Sequence, residues 1–184
     1  YKPIMEILYE DNHIIIVNKR AGEIVQGDKT GDEPLSETLK RYIKERDAKP
    51  GNVFIGVVHR LDRPVSGVVM FAKTSKALSR LNAMFASGDV HKTYWAVSRN
   101  EPAQSETTLT HYISTVERNN KSYASLTPKE GAKKAMLSYR LIARSERYNL
   151  LEVNLMTGRK HQIRVQLSAI GCPVKGDLKY GDKR

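Results

Sequence analysis

A β-branched run, Ile14-Ile15-Ile16-Val17, makes residues 13–19 the first buried strand that the hydrophobic pattern predicts. A polar, glycine-rich loop follows over residues 21–32. Residues 34–47 read as a helix, because Leu35, Leu39, Tyr42 and Ile43 recur at helical spacing and Pro34 suits a first-turn position. Lys49-Pro50-Gly51-Asn52 is a turn signal, and residues 53–58 read as a second buried strand. Residues 59–67 form a polar loop punctuated by Pro64 and Gly67, and residues 68–72 are a third strand. Ser75 is a candidate cap for a helix whose apolar face carries Leu78, Leu81, Met84 and Phe85, and Ser87-Gly88-Asp89 ends it.

The second half of the chain is richer in strands. Residues 90–99 read as a strand bearing Tyr94 and Trp95. Residues 107–116, 134–143 and 149–156 alternate as strands do, and Arg118-Asn119-Asn120-Lys121 reads as a polar hairpin tip. Residues 160–170 read as a helix with Ile163, Leu167 and Ile170 on one face, stopped by Gly171-Cys172-Pro173. Strands outnumber helices and come in runs. The pattern therefore predicts an α+β fold with a mixed, mostly antiparallel sheet and flanking helices.

Composition narrows the class. The 184 residues are 40% apolar, enough for a core without disulfides, and the lone Cys172 excludes an internal disulfide and points to a reducing, cytoplasmic setting. No apolar run approaches a membrane span, and the first residues are neither signal nor transit peptide. The chain begins with Tyr rather than Met, as a piece of a longer protein would. The net charge of +11 and the pI of 9.7 favour a polyanion partner, nucleic acid above all. Residues 129–184 hold 13 Lys/Arg against 5 Asp/Glu, so +8 of the excess lies there.

Three segments stand out chemically. His59-Arg60-Leu61-Asp62-Arg63-Pro64-Val65-Ser66-Gly67 sets one carboxylate among two arginines and a histidine. Such neighbours favour the ionised form and predict a lowered pKa, as a nucleophile needs; a surface salt-bridge loop fits the same residues. In Thr157-Gly158-Arg159-Lys160-His161-Gln162-Ile163-Arg164, a basic helix start offers a phosphate site, and Arg164, next to Ile163, points partly inward. A solvated basic helix face is the alternative. In Lys92-Thr93-Tyr94-Trp95-Ala96, alternation puts the two rings on opposite faces. One belongs to the core, and the other either packs too or stacks on a base. No phosphate-binding loop, dinucleotide fingerprint or metal-ligand spacing is present, so neither metal nor cofactor is expected. Ser66 lacks the Gly-x-Ser-x-Gly elbow of a serine hydrolase.

At these three segments the chain resembles the RluA-type family of RNA pseudouridine synthases. That family carries His-Arg-Leu-Asp-x-x-Thr-Ser-Gly, then Lys-x-Tyr-x-Ala, then Thr-Gly-Arg-x-His-Gln-Ile-Arg. Here they are matched by residues 59–67, 92–96 and 157–164. Gly171-Cys172-Pro173-Val174-Lys175-Gly176-Asp177 is similar to the family's tail, and Leu8-Tyr9-Glu10-Asp11 with Val17-Asn18-Lys19 to its first strand pair. Val65 replaces the usual Thr, and the chain stops soon after Tyr180-Gly181, where the family runs on.

The resemblance implies a single catalytic domain over residues 1–184, cut short at its C-terminus and without an S4-like domain, with a central catalytic cleft. It implies isomerisation of uridine in ribosomal or transfer RNA by a monomeric enzyme that uses no cofactor. Asp62 becomes the nucleophile, Arg164 its partner, and Tyr94 the residue lying on the target base. Arg60 fills the space of the flipped nucleotide. His59, Lys92, Arg159, Lys160 and His161 complete the expected RNA-binding set. A non-catalytic RNA-binding module, and a hydrolase working through Asp62 and His59, are the readings from other classes.

Overall fold

Alternation of buried and open positions along one strand organises the first half of the chain. The computed structural model describes residues 5–183, which fall into two compact units, Tyr1–Asp89 and Val90–Arg184. In the first, β1 (Glu6–Glu10), β2 (Ile14–Lys19), β3 (Gly56–Val57) and β4 (Gly67–Ala72) form one antiparallel sheet in the order β1-β2-β4-β3. Ile15 and Val17 of β2, with Val69 and Phe71 of β4, meet Leu39 and Ile43 of the helix α1 (Leu35–Arg46) in a closed core. Full burial of such side chains contributes about 1.5–3 kcal/mol each. The same alternation carries Lys19 onto the buried face, with no exposed surface.

Most of the predicted elements appear, with shifted edges. Pro34 stands just outside α1 in an extended conformation, as its N-cap, rather than inside the first turn. Helix α2 (Ser75–Ser87) is capped by Thr74, whose hydroxyl accepts the Ala77 N–H at 3.0 Å, and not by Ser75. Gly88 ends it at φ 80°, a left-handed value that suits glycine. The strand expected over residues 53–58 shrinks to β3. Phe54 faces solvent, and Gly56 packs so closely on Leu78 that a Cβ there would lie 2.9 Å from its Cδ2.

The second unit is a five-stranded antiparallel sheet in the order β5-β9-β8-β6-β7. Its strands are β5 (Lys92–Ser98), β6 (Glu106–Val116), β7 (Lys121–Ser125), β8 (Lys133–Arg144) and β9 (Asn149–Leu155). Helix α3 (Gln162–Ala169) supplies Leu167 and Ile163 to the core formed with Ala96, Leu137, Tyr139, Leu151 and Val153. Strand β7 was not predicted, because Lys-Ser-Tyr-Ala-Ser carries no apolar alternation; pairing with β6 makes it a strand. The architecture is α+β, as expected, and every pairing between strands of the described residues is antiparallel.

One ion cluster anchors the first unit and gives a testable pH dependence. Glu10 accepts from Lys73 at 2.6 Å and from two nitrogens of Arg46, and its side chain is only 15% exposed. The Arg46 hydrogen bond, then Lys73, lower its pKa from 4.5 to about 2, against the opposing effect of burial. A depressed carboxylate stabilises the fold above its unfolded pKa and loses that contribution as pH falls through the folded value. Glu10→Gln should therefore destabilise the protein by about 2–3 kcal/mol at neutral pH. In urea titrations that difference should fade between pH 4.5 and about 2. A difference that stays constant across the window would contradict the assignment.

Candidate active site

The loop between β3 and β4 presents Asp62, and the first unit fixes it through the main chain. The Val65 N–H donates to the Asp62 carbonyl at 2.9 Å, closing a turn around Arg63 and Pro64. Beneath it the buried ammonium of Lys19 donates to the carbonyls of Arg20, Asp62 and Arg63 at 3.0–3.2 Å, and also to that of Val65. A buried cation needs such partners, and here they are carbonyl dipoles aimed inward by the turn. Burial pushes the Lys19 pKa down, while the charges of Glu23 and Asp62 oppose that shift. Sequence reasoning missed this lysine. The signal was present: in β2 it follows Ile15 and Val17 at period two. Gly67 leaves the loop at φ 143°, which favours glycine, and enters β4 opposite Lys19.

The two arginines beside Asp62 behave differently from a simple carboxylate clamp. Arg63 turns its guanidinium to the loop of residues 22–32, bonding Asp32 at 2.8 Å and Asp28 at 3.2 Å. Arg60 is exposed, as is Asp62. His59 is half-buried, stacks on Phe85 with ring centroids 5.1 Å apart, and accepts the Met70 N–H on Nε2 at 3.0 Å. That bond requires a lone pair on Nε2, so the neutral ring carries its proton on Nδ1. The turn at Val65 is closed by its backbone N–H, a bond that does not need a side-chain hydroxyl at this position.

In the second unit β5 sets Tyr94 and Trp95 on opposite faces. Tyr94 is half-buried against the α3-facing core, and Trp95 is 70% exposed. Lys92 reaches the Thr157–Gly158 turn, where a Cβ on Gly158 would lie 3.1 Å from its Nζ, the end of a flexible side chain. That turn is knitted by Gln162, which is buried. Its Oε1 accepts from the Arg159 N–H and the Thr157 hydroxyl, and its Nε2 donates to the Met136 carbonyl, all at 2.9 Å.

The basic segment is therefore a turn rather than a helix start. His161 has φ 55°, outside helical values, so α3 begins at Gln162 and not at residue 160. Arg159 donates from Nε to the Lys134 carbonyl at 2.9 Å, and Lys160 faces Glu117 at 3.5 Å on the surface. The His161 Nδ1 lies 2.7 Å from the hydroxyl of Tyr180, which also accepts the Ser122 N–H. Arg164 points inward as expected. It holds the carboxylate of Asp177 with two bonds, at 2.7 and 3.0 Å, and lies over the ring of Tyr180 at 4.9 Å. Asp177 is nearly buried, so the pair is pre-organised. Among the described residues no cluster of His, Cys, Asp or Glu could hold a metal ion, and no helix is long and apolar enough to cross a membrane.

Comparison with known proteins adds an independent finding. Residues 13–169 match the family model for RNA pseudouridylate synthase. The chain is 35% identical over 96% of its length to ribosomal large subunit pseudouridine synthase D of Xylella fastidiosa, 52% of which it covers. It is 33% identical to tRNA pseudouridine synthase C of Vibrio cholerae, across 97% of this chain and 75% of that one. Among solved structures, human RNA pseudouridylate synthase domain containing 4 superposes with a TM-score of 0.81 at 26% identity, covering 97% of this chain and 70% of that chain. The chain spans about half the length of the first curated relatives it matches.

Proposed function

Because the chain belongs to the RNA pseudouridylate synthase family, we propose that it isomerises uridine to pseudouridine within structured ribosomal or transfer RNA, with Asp62 as the nucleophile. The observation that carries this reading is the Asp62 turn. A solvent-facing carboxylate stands on a loop whose carbonyls are held from below by one buried ammonium. An RNA-binding surface has no use for a rigidly presented carboxylate facing phosphates, whereas a nucleophile does.

In this reading both units belong to one catalytic domain acting in the cytoplasm. The bond between uracil N1 and ribose C1′ breaks with the help of the Asp62 carboxylate. The base turns, C5 joins C1′, C5 gives up its proton and N1 takes one, so atoms balance without redox chemistry or energy input. Tyr94 lies on the base and assists removal of the C5 proton. Arg164 is the cationic partner that orients Asp62, and Arg60 takes the place of the extruded nucleotide. Lys92, Arg159 and Lys160 hold the backbone. His59 and His161 are already engaged by Met70 and Tyr180, so they shape the RNA-facing loops as much as they touch RNA. The use of the His59 Nε2 lone pair by a backbone N–H also weighs against a hydrolase that employs His59 as its base.

The test is pseudouridine mapping of total RNA from cells with and without the gene: one or a few sites should disappear, and an unchanged map contradicts the proposal. Affinity gives a second check. With about five phosphate contacts, log K for RNA should fall with log salt at a slope of roughly −4. A flat dependence would assign the +11 charge to solubility instead.

A further inference from the structure

Residues 26–33 are all exposed, yet one side chain of the Asp62 turn ties this loop down. From Nη1, Arg63 donates to the Gly22 carbonyl at 3.2 Å and to Asp32 at 2.8 Å. From Nη2 it donates to Asp28 at 3.2 Å and to the Thr30 hydroxyl at 2.9 Å. The main chain returns the contact, since the Gly22 N–H donates to the Arg63 carbonyl at 2.7 Å. Asp28 is itself pre-set, accepting the Thr30 N–H at 2.9 Å. A planar guanidinium spreads its donors over two terminal nitrogens in a fixed fork, a reach that the single nitrogen of an ammonium lacks. Two carboxylates against one cation leave this cluster negative, so it is unsuited to an RNA phosphate.

We propose that Arg63 is a positioning residue that clamps the loop of residues 22–32 to the turn carrying Asp62, and so fixes the aim of that carboxylate. The catalytic part of the claim rests on Asp62 being the nucleophile. Displacements of about 1 Å at a reacting group can cost on the order of a hundredfold in rate, which is what such a clamp prevents.

The experiment compares wild type with Arg63→Ala, Arg63→Lys and the near-isosteric double variant Asp28→Asn/Asp32→Asn. Amide hydrogen exchange is followed at Gly22 and Val65, and single-turnover rate and affinity are measured on an RNA that the wild type modifies. In Arg63→Ala, exchange at both amides should quicken about tenfold or more as local opening becomes easier. The rate should fall roughly 10- to 100-fold, with RNA affinity kept within about twofold. Arg63→Lys should restore neither, and the double variant should show the same changes in weaker form even if Arg63→Ala folds poorly. Unchanged exchange at Gly22 and Val65 overturns the clamp. Lost affinity with a retained rate overturns it too, by making Arg63 an RNA contact. A wild-type protein that isomerises no uridine sinks the functional reading instead, and the exchange result still decides whether the clamp exists.

Discussion

Asp62→Asn should yield a folded protein that still binds RNA and no longer isomerises uridine. The turn around Asp62 is held by main-chain groups, the Val65 N–H and the carbonyls that Lys19 grips, all of which an asparagine keeps. The amide is close to isosteric but carries no negative charge, so it cannot act as an anionic nucleophile. The single-turnover rate should drop by at least about a thousandfold. The melting temperature should stay within roughly 4 °C, equivalent to about 1–2 kcal/mol for a chain of this length. Activity above a few per cent of wild type would remove Asp62 from the role proposed for it.

Arg164→Ala should be far more damaging than Arg144→Ala or Lys133→Ala, although each removes one positive charge from the basic end of the chain. Arg144 meets Glu101 on the open surface, and Lys133 is exposed. Arg164 instead grips Asp177, whose side chain is only 7% exposed. Its loss leaves that carboxylate nearly buried without its two charge-assisted bonds, at a cost of about 1–3 kcal/mol. It also removes the cation proposed as the partner of Asp62, so the rate should fall by about a hundredfold or more. Asp177→Asn separates the two effects: it should lower the melting temperature while keeping more of the rate, because Arg164 remains. If Arg164→Ala, Arg144→Ala and Lys133→Ala all weaken RNA binding equally and leave the rate alone, the charge acts only as a diffuse field.

How far these features could be read from the chain depends on the range of the interaction that makes them. Strand β2 is visible as a β-branched run, and β6, β8 and β9 are visible because a buried face imposes alternation on neighbouring residues. Strand β7 was invisible because its place comes from hydrogen bonds to β6, made across a tight turn at Asn120, which takes a left-handed conformation. The start of α3 was misplaced because the deciding contacts are tertiary. Gln162 reaches the Met136 carbonyl inside β8, and the strained His161 is held by Tyr180. The chemistry of the Asp62 loop was legible as residue types, yet its electrostatics were not. Arg63 looked like a partner for Asp62 in sequence and in space serves Asp28 and Asp32, more than thirty residues earlier. Lys19 looked like the polar end of a strand and is the buried post under the loop.

The most direct measurement of the central claim is tritium release from RNA carrying 5-tritiated uridine, using the purified protein and its Asp62→Asn variant, with the products analysed for pseudouridine and free uracil. The account expects the wild type to release one tritium for each pseudouridine formed, with no free uracil and no chain cleavage, and the variant to release none. Free uracil in place of pseudouridine, or tritium release that survives the loss of the Asp62 carboxylate, would contradict it.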